Sequence, residues 1–285
     1  YSQGVFPYDE QQVSLLTGNG ENYAYSFMID KISKIELTPA QLALDPCTAG
    51  CTVTDVNTGE IRALVTYPSY DNNKMSGSVD ADYYRQLSND KSKPLLNWAT
   101  QAQSAPGSIF KACTSIAGLD TGVIGPGTGF YCSGSFDKVD PAPRCWRLYG
   151  HGTETVTTAL RDSCNVFFYN VGWNLACSKD GTYNSTYGTS IMQKYAEELG
   201  LATKAGIEID EKAPHASTVS AIQSAIGQGT HQYSCLNLAR YATTIANSGT
   251  CYNLTLVDKI KNVNGKTVLN NKAKVRNEVN IKQSS

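Results

Sequence analysis

The chain has 285 residues, of which 41% are hydrophobic and 17% charged, and its formal net charge is −1. A chain of this length can bury a sizeable core, in one large domain or in two smaller ones. The balanced charge gives no basic excess for nucleic acid, and no run of about 18 apolar residues predicts a membrane span.

The N-terminal residues give only a weak indication of secondary structure. Residues 1–45 are mixed and polar, with short apolar groups but no clean period, so we interpret them as a remnant with little core of its own. From Cys51 the pattern sharpens, because CTVTDV-NTG-EIRALVTY alternates as a strand, a turn at Asn57 and Gly59, and a second strand.

Helical patterns dominate the middle of the chain. Apolar residues at helical spacing predict a helix that starts near Ser108 and ends at Gly122, and the glycine-rich and proline-rich residues 125–152 predict an irregular loop. Further helices are predicted over VTTALRD, NVFFYNVGWNLA, TSIMQKYAEELGL and CLNLARYATTIANSG, and a hairpin over LTLVDKIKNVNGKTVLN. Strands, then helices, then strands again indicate an α/β (α+β) fold with an antiparallel sheet flanked by helices.

The segment APGSIFK places a serine and a lysine one helical turn apart. Pro106-Gly107 is a good helix start, so Ser108 should lie in the first turn, where unpaired backbone N–H groups can stabilise an oxyanion. Lys111 falls on the same helical face, and a lysine among apolar neighbours can lose its proton easily enough to act as a base. Ser-x-x-Lys also arises by chance, with the serine as a cap and the lysine in solvent.

A second motif, Ser163-Cys164-Asn165, lies between a short helix and a strongly apolar one. Its hydroxyl is suited to relay a proton, and its amide is suited to hold a substrate carbonyl. Each motif is weak by itself, but their order and their separation of roughly 50 residues make the pair more specific.

With both motifs in place, the sequence resembles the transpeptidase domain of class B penicillin-binding proteins, most closely the elongation-type or sporulation-type branch. APGSIFK is similar to their PGS-x-FK segment. The likeness runs from about residue 46 to 260 and includes DVNTGEIRALVTYPSYDNN, PLLNWA, YGHGTETVTTALRDSCNVFFYNVG, AIGQG and LNLARYATTIANSGTCY. The resemblance implies a pedestal or linker remnant over 1–45 and a transpeptidase domain of the penicillin-binding and β-lactamase-like fold over 46–285.

The resemblance also implies a reaction, in which a serine D,D-transpeptidase cross-links the stem peptides of peptidoglycan. Ser108 would attack a D-Ala-D-Ala stem, and the amine of a neighbouring stem would resolve the acyl-enzyme. Lys111 would be the base, Ser163 the proton relay and Asn165 the anchor of a substrate amide. A β-lactam antibiotic would acylate the same serine and block it.

Two features concern how complete this site is. Gln228 and Gly229, in AIGQG, are predicted either to form a structural turn or to bind substrate. The family's third motif, Lys-Thr/Ser-Gly, is absent, because Lys266-Thr267 is followed by Val268 in a predicted hairpin turn. We expect the rest of the domain and the family's N-terminal membrane helix to lie outside these residues, and the 285-residue chain by itself to react poorly with penicillin.

A candidate metal site lies beside the second motif. Cys132, Cys145, His151 and Cys164 are spaced C-x12-C-x5-H-x12-C, and three thiolates with one imidazole make a closed tetrahedral zinc set. The resemblance supports zinc, since some elongation-type relatives carry it near the second motif through carboxylate, histidine and cysteine ligands. A Cys132–Cys145 disulfide and simple buried thiols are the alternatives.

No organic cofactor and no nucleic-acid partner are predicted. His215 and His231 are isolated and are expected in loops or at the surface. The resemblance implies stem peptides, β-lactams and a glycosyltransferase of the elongation or sporulation machinery as partners, at the extracytoplasmic face of a bacterial membrane. A β-lactam sensor and a catalytically silent scaffold are the alternative functions, whereas a class D-like β-lactamase fits the length and the AIGQG segment poorly.

Overall fold

The computed structural model describes residues 6–37 and 48–282. The chain divides into two compact units, one formed by 1–49 with 66–96 and the other by 50–65 with 97–285. Within the described ranges, every helix is too short or too polar to cross a membrane. The boundary at residue 46 between an N-terminal remnant and a transpeptidase domain stays a prediction.

Among its described residues, the first unit contains four α-helices: α1 Glu10–Gly18, α2 Gly20–Ser33, α3 Asn72–Met75 and α4 Ala81–Asn89. Sequence periodicity did not predict α1 and α2, and the physical reason is that neither helix buries a residue. A polar cap starts α1 instead, since the carboxylate of Asp9 accepts a hydrogen bond from the backbone N–H of Gln12 at 3.0 Å.

The second unit holds the main core. Its helices are α5 Lys111–Thr121, α6 Val156–Arg161, α7 Asn165–Ala176, α8 Ser185–Glu198, α9 Ala221–Ser224 and α10 Cys235–Ala246, and a 3-10 turn, Gly107–Phe110, precedes α5. The central helix is α7, which packs against α5, α8 and α9. It is apolar on nearly all sides, as expected for a helix covered by others, and Phe167 and Phe168 are fully buried.

The strands pair two by two in the described residues. They are β1 Ala49–Thr54, β2 Ile61–Tyr67, β3 Phe130–Cys132, β4 Gly152–Glu154, β5 Thr250–Asn253, β6 Lys259–Lys261, β7 Thr267–Asn270 and β8 Lys274–Glu278. The pairs are β1–β2, β3–β4, β5–β8 and β6–β7, and the last three are antiparallel. The predicted β1–β2 and β6–β7 hairpins and the mixed α/β class are confirmed.

Candidate active site

Ser108 lies in the 3-10 turn where the chain enters α5. Gly107 adopts φ +57°, and its N–H donates to the carbonyl oxygen of Gly227 at 3.0 Å. Phe110, at the other end of the turn, is fully buried, whereas Ser108 is exposed. The turn therefore presents the hydroxyl at the surface while its two ends are fixed to the protein interior.

Lys111, the first residue of α5, is only 1% exposed. Its Nζ donates to the carbonyl oxygen of Ser163 at 2.8 Å, to the Ser163 hydroxyl at 3.0 Å and to Oδ1 of Asn165 at 2.7 Å. Burial lowers the pKa of Lys111 from 10.5 to about 8, although negative charge on Cys145 and Cys164 opposes this shift. A substantial fraction of the amine is therefore neutral near pH 8.

Ser163 connects this amine to Ser108. Its hydroxyl donates to Ser108 Oγ at 2.9 Å and accepts from Lys111 Nζ. Ser163 adopts φ +51°, a left-handed conformation that is uncommon for a residue with a side chain and is often found at functional sites. The three polar atoms form a continuous hydrogen-bonded path that runs, as donors, from Lys111 through Ser163 to Ser108. When the amine is neutral both hydroxyls can turn, and a proton can then pass along the same path from Ser108 to Lys111.

The three residues predicted to bind substrate occupy different settings. Asn165 is the first residue of α7, and its amide nitrogen makes no hydrogen bond to any described residue. Gln228 is exposed, and its Nε2 would lie 3.8 Å from a Cβ built on Gly107. Gly229 instead lies against Ser217, whose Oγ would be 2.7 Å from a Cβ at that glycine. The structure thus places Asn165 against Lys111 and Gln228 beside Gly107, whereas the nearest neighbour of a Cβ at Gly229 is Ser217.

A buried histidine packs against Phe110, at the end of this turn. His231 is 3% exposed, and its ring packs on Phe110 with 4.2 Å between the ring centroids. Its Nδ1 accepts from the backbone N–H of Ser217 at 3.0 Å, and its Nε2 lies 3.2 Å from the carbonyl oxygen of Ser224. Burial lowers the pKa of His231 to about 4, so the ring is neutral at physiological pH. The residue lies in a loop, as predicted, but in the interior rather than at the surface.

The four predicted metal ligands come together beside the second motif. Cys132 ends β3, Cys145 lies in the loop that follows, His151 precedes β4 and Cys164 precedes α7. Their ligand atoms all lie within 4.8 Å of one another, and His151 Nδ1 is 3.6 Å from the sulfurs of Cys132 and Cys145. The three cysteines are buried thiols rather than a disulfide. This Cys3His cluster is suited to hold a metal ion.

Backbone N–H groups point at the sulfurs of this cluster. Burial alone would raise the pKa of Cys145, but hydrogen bonds from backbone N–H groups, including those of Asn165 and Val166, lower it. Burial raises the pKa of Cys164, whose sulfur accepts a hydrogen bond from the N–H of Phe167. N–H donors from the start of α7 favour negative charge on sulfur, which is the form that binds a metal.

Trp146 is a residue of this region that sequence reasoning did not single out. Its indole Nε1 donates to the carbonyl oxygen of Asp162 at 3.1 Å, directly before the second motif. The sequence signal was a tryptophan immediately after the candidate ligand Cys145. Without the structure, nothing in that position indicates that the side chain reaches across to Asp162.

A serine hydroxyl joined through a second hydroxyl to a buried lysine defines the class of serine–lysine sites, in which an amine rather than an imidazole takes the proton. The chain, whose residues 49–285 match the family described as the penicillin binding protein transpeptidase domain, belongs to that family. The resemblance identified in the sequence is therefore confirmed.

Curated relatives come from the same class. Peptidoglycan D,D-transpeptidase MrdA of Escherichia coli K12 is 33% identical over 142 residues, which cover 49% of this chain and 22% of the relative. Peptidoglycan D,D-transpeptidase PbpA of Mycolicibacterium smegmatis is 29% identical over 229 residues, which cover 76% of this chain and 44% of the relative. The chain spans less than half the length of either protein.

Solved structures show the same fold. Penicillin-binding protein A from M. tuberculosis, as an imipenem acyl-enzyme complex, matches with a TM-score of 0.73 at 20% identity, over 96% of this chain and 67% of that one. A chain from a peptidoglycan synthase complex that coordinates polymerization and crosslinking matches with a TM-score of 0.70 at 28% identity, over 83% of this chain and 40% of that one. The mixed α/β transpeptidase fold expected from the sequence is confirmed.

Proposed function

We propose that this protein is a serine D,D-transpeptidase that cross-links peptidoglycan stem peptides through an acyl-enzyme on Ser108. The observation that carries the proposal is the path from Ser108 Oγ to Ser163 Oγ, 2.9 Å, and on to Lys111 Nζ, 3.0 Å. The relatives MrdA and PbpA, which are named as D,D-transpeptidases, and the imipenem acyl-enzyme of a structural neighbour support the same reaction.

The reaction follows from this path. As Ser108 Oγ attacks the carbonyl carbon of the penultimate D-alanine, its proton passes through the Ser163 hydroxyl to the neutral amine of Lys111. The C–N bond to the last D-alanine breaks, the leaving amine takes that proton, and an ester to Ser108 remains. The amine of a second stem peptide then attacks the ester, forms the cross-link and returns a proton to the serine.

Asn165 and Gln228 are the candidates for holding the acyl donor. Oδ1 of Asn165 accepts from Lys111, so its Nδ2 can donate to a carbonyl oxygen of the stem peptide while Oδ1 keeps the amine in place. Gln228 lies beside the turn that carries Ser108. Gly229 packs on the Ser217 loop, which favours a structural role for that glycine.

We propose that Cys132, Cys145, His151 and Cys164 hold one zinc ion. The donor set, its burial and the N–H groups aimed at the sulfurs all fit zinc, which favours four sulfur and nitrogen ligands. Bound there, zinc would supply a structural cross-link. Cys164 stands between Ser163 and Asn165, so the ligand set would fix both residues that contact Lys111. Elemental analysis of protein purified under reducing conditions without chelator should find about one zinc per chain, and finding none would contradict this assignment.

We also propose that the protein works outside the cytoplasmic membrane with a glycosyltransferase partner. The relative MrdA and the neighbour from a synthase complex that couples polymerization to crosslinking support this assignment. The chemistry agrees with it, because cross-linking follows the polymerisation of the strands that carry the stem peptides. The net charge of −1 gives no support for a nucleic-acid partner.

The test of the reaction is acylation and transfer. Intact-mass spectrometry of the full-length protein with excess ampicillin should show one adduct that peptide mapping places on Ser108, that Ser108→Ala abolishes and that the exposed control Ser190→Ala retains. A D-Ala-D-Ala peptide with an amine acceptor should release D-alanine and yield a new amide. Acylation without transfer indicates a β-lactam sensor, and release of the adduct within minutes indicates a β-lactamase. If no adduct forms on Ser108, the catalytically silent scaffold is the function that remains, and the proposal is contradicted.

A further inference from the structure

Trp146 is a large apolar side chain that is exposed and yet fixed in place. Its exposed fraction is 63%, although tryptophan usually buries most of its surface. The indole N–H donates to the carbonyl oxygen of Asp162 at 3.1 Å, and the ring meets that of His151 edge to face at 5.3 Å. These two contacts fix the ring at its indole N–H and against the ring of His151. The rest of the indole surface is open to a ligand.

The position of this ring relative to the nucleophile follows from the chain. Asp162 directly precedes Ser163, whose hydroxyl is 2.9 Å from Ser108 Oγ. Ordinary bond lengths then place the indole Nε1 of Trp146 within about 11 Å of Ser108 Oγ. An extended peptide advances about 3.4 Å per residue, so the indole lies within roughly three residues of the carbonyl group that the serine attacks.

The polar surroundings make this apolar surface distinctive. Arg161 and Asp162 form an ion pair with N–O distances of 2.7 and 2.8 Å on the same stretch of chain, and Ser163 follows them. The other exposed apolar side chain next to the nucleophile in sequence is Ile109, which is 54% exposed. A rigid aromatic face within reach of a polar reaction centre is a feature that contributes specificity, because it favours ligands with an apolar group at that distance.

We propose that Trp146 determines specificity for the acyl donor. Its open indole face packs against the apolar part of the donor, up to three residues from the attacked carbonyl, and in a penicillin it packs against an aromatic group on the side-chain amide. The inference rests on the proposed acylation of Ser108, since that reaction is what brings a donor to this position. The competing role is structural, with Trp146 only covering the ligand His151.

The experiment compares two penicillins that differ in the group Trp146 would contact. Benzylpenicillin carries a phenylacetyl side chain, whereas 6-aminopenicillanic acid has the same ring system and a bare amine. For Trp146→Ala, the second-order rate constant of Ser108 acylation should fall about tenfold with benzylpenicillin and by less than about twofold with 6-aminopenicillanic acid. Trp146→Phe, which keeps an aromatic face, should recover most of the rate with benzylpenicillin. Tyr149→Ala, a matched control that removes a 98% exposed aromatic side chain from the same loop, should leave both rates unchanged.

A second measurement follows the indole itself. Acylation by benzylpenicillin should change the tryptophan fluorescence of the native protein, and Trp146→Phe should remove that change. Equal losses with the two penicillins, together with a lower metal content or melting temperature in Trp146→Phe, would mean that the side chain only supports His151 and would overturn the inference. A native protein that neither penicillin acylates would instead overturn the proposed function, and the inference with it.

Discussion

At the scale of single residues, the proposed role of Lys111 as the base predicts the pH range in which Ser108 reacts. Burial lowers the pKa of Lys111 to about 8, and the proton from Ser108 needs a neutral amine to receive it. The acylation rate constant should therefore rise as the pH rises, close to tenfold per unit well below pH 8, and level off above it. The measurement is a pH–rate profile with benzylpenicillin between pH 6 and 9.5.

The control for this profile is a pair of arginine variants. Lys111→Arg should abolish acylation at every pH, because a guanidinium stays charged and cannot act as the base. Lys194→Arg, at an exposed lysine on α8, should leave the profile as it is. A rate that does not vary over this range would show that Lys111 is not the base.

The site residues differ in how far the sequence reveals them. Ser108 and Lys111 can be predicted from the sequence because the chemistry proposed for them depends on a local spacing of three residues along one turn. Cys132 and Cys164 can be predicted as candidate metal ligands because cysteines and a histidine grouped in a loop-rich region have few other functions. Trp146 is different, since the role proposed for it depends on a contact with a residue 16 positions away, and no local pattern encodes such a contact.

At the scale of elements, the same distinction separates what the sequence predicts from what it does not. The helices α5 to α8 and α10 were predictable because one face, or in α7 nearly every face, is buried, which imposes a period on the sequence. The helices α1 and α2 bury no residue and leave no such period. The β5–β8 pair was also missed, because pairing between strands with a whole hairpin between them depends on tertiary contacts.

The close packing of two turns yields a prediction at this scale. Gly227 has φ +74°, and a Cβ there would lie 2.0 Å from the carbonyl oxygen of Gly107, in the turn that carries Ser108. Gly227→Ala must push the two turns apart, so it should lower the melting temperature by several degrees and slow acylation of Ser108 by tenfold or more, on the order expected for a displaced nucleophile. Thermal unfolding and the benzylpenicillin rate constant measure the two effects.

Gly265→Ala is the matched control for that substitution. Gly265 also has a positive φ, +77°, but it lies in the β6–β7 hairpin with nothing within 4 Å of the added Cβ. It should show only the cost of the left-handed backbone, about 1 kcal/mol, with acylation unchanged. If the two alanine variants behaved alike, backbone strain alone would explain the result, and the turn contact would have no role.

At the scale of the whole molecule, the Cys3His cluster ties an irregular stretch of chain to the core. Its candidate ligands come from the end of β3, from the loop after it, from the residue before β4 and from the residue before α7. Between Cys132 and His151 the chain has little regular structure, and several of its side chains are exposed. Such a segment has few apolar contacts to order it, so a bound ion would contribute directly to folding.

Removal of the ion should therefore change both stability and reactivity. A structural zinc site contributes several kcal/mol, so chelation should lower the melting temperature on the order of 10 °C for a chain of this size. It should also slow acylation of Ser108, because Cys164 holds the segment that places Ser163 against the nucleophile.

Cys132→Ser should reproduce both effects without chelator, whereas Cys51→Ser, at an exposed cysteine outside the cluster, should reproduce neither. Calorimetry with and without chelator, with zinc added back, measures this. A melting temperature that chelation leaves unchanged would show that the four side chains form a packed thiol cluster that does not depend on a metal.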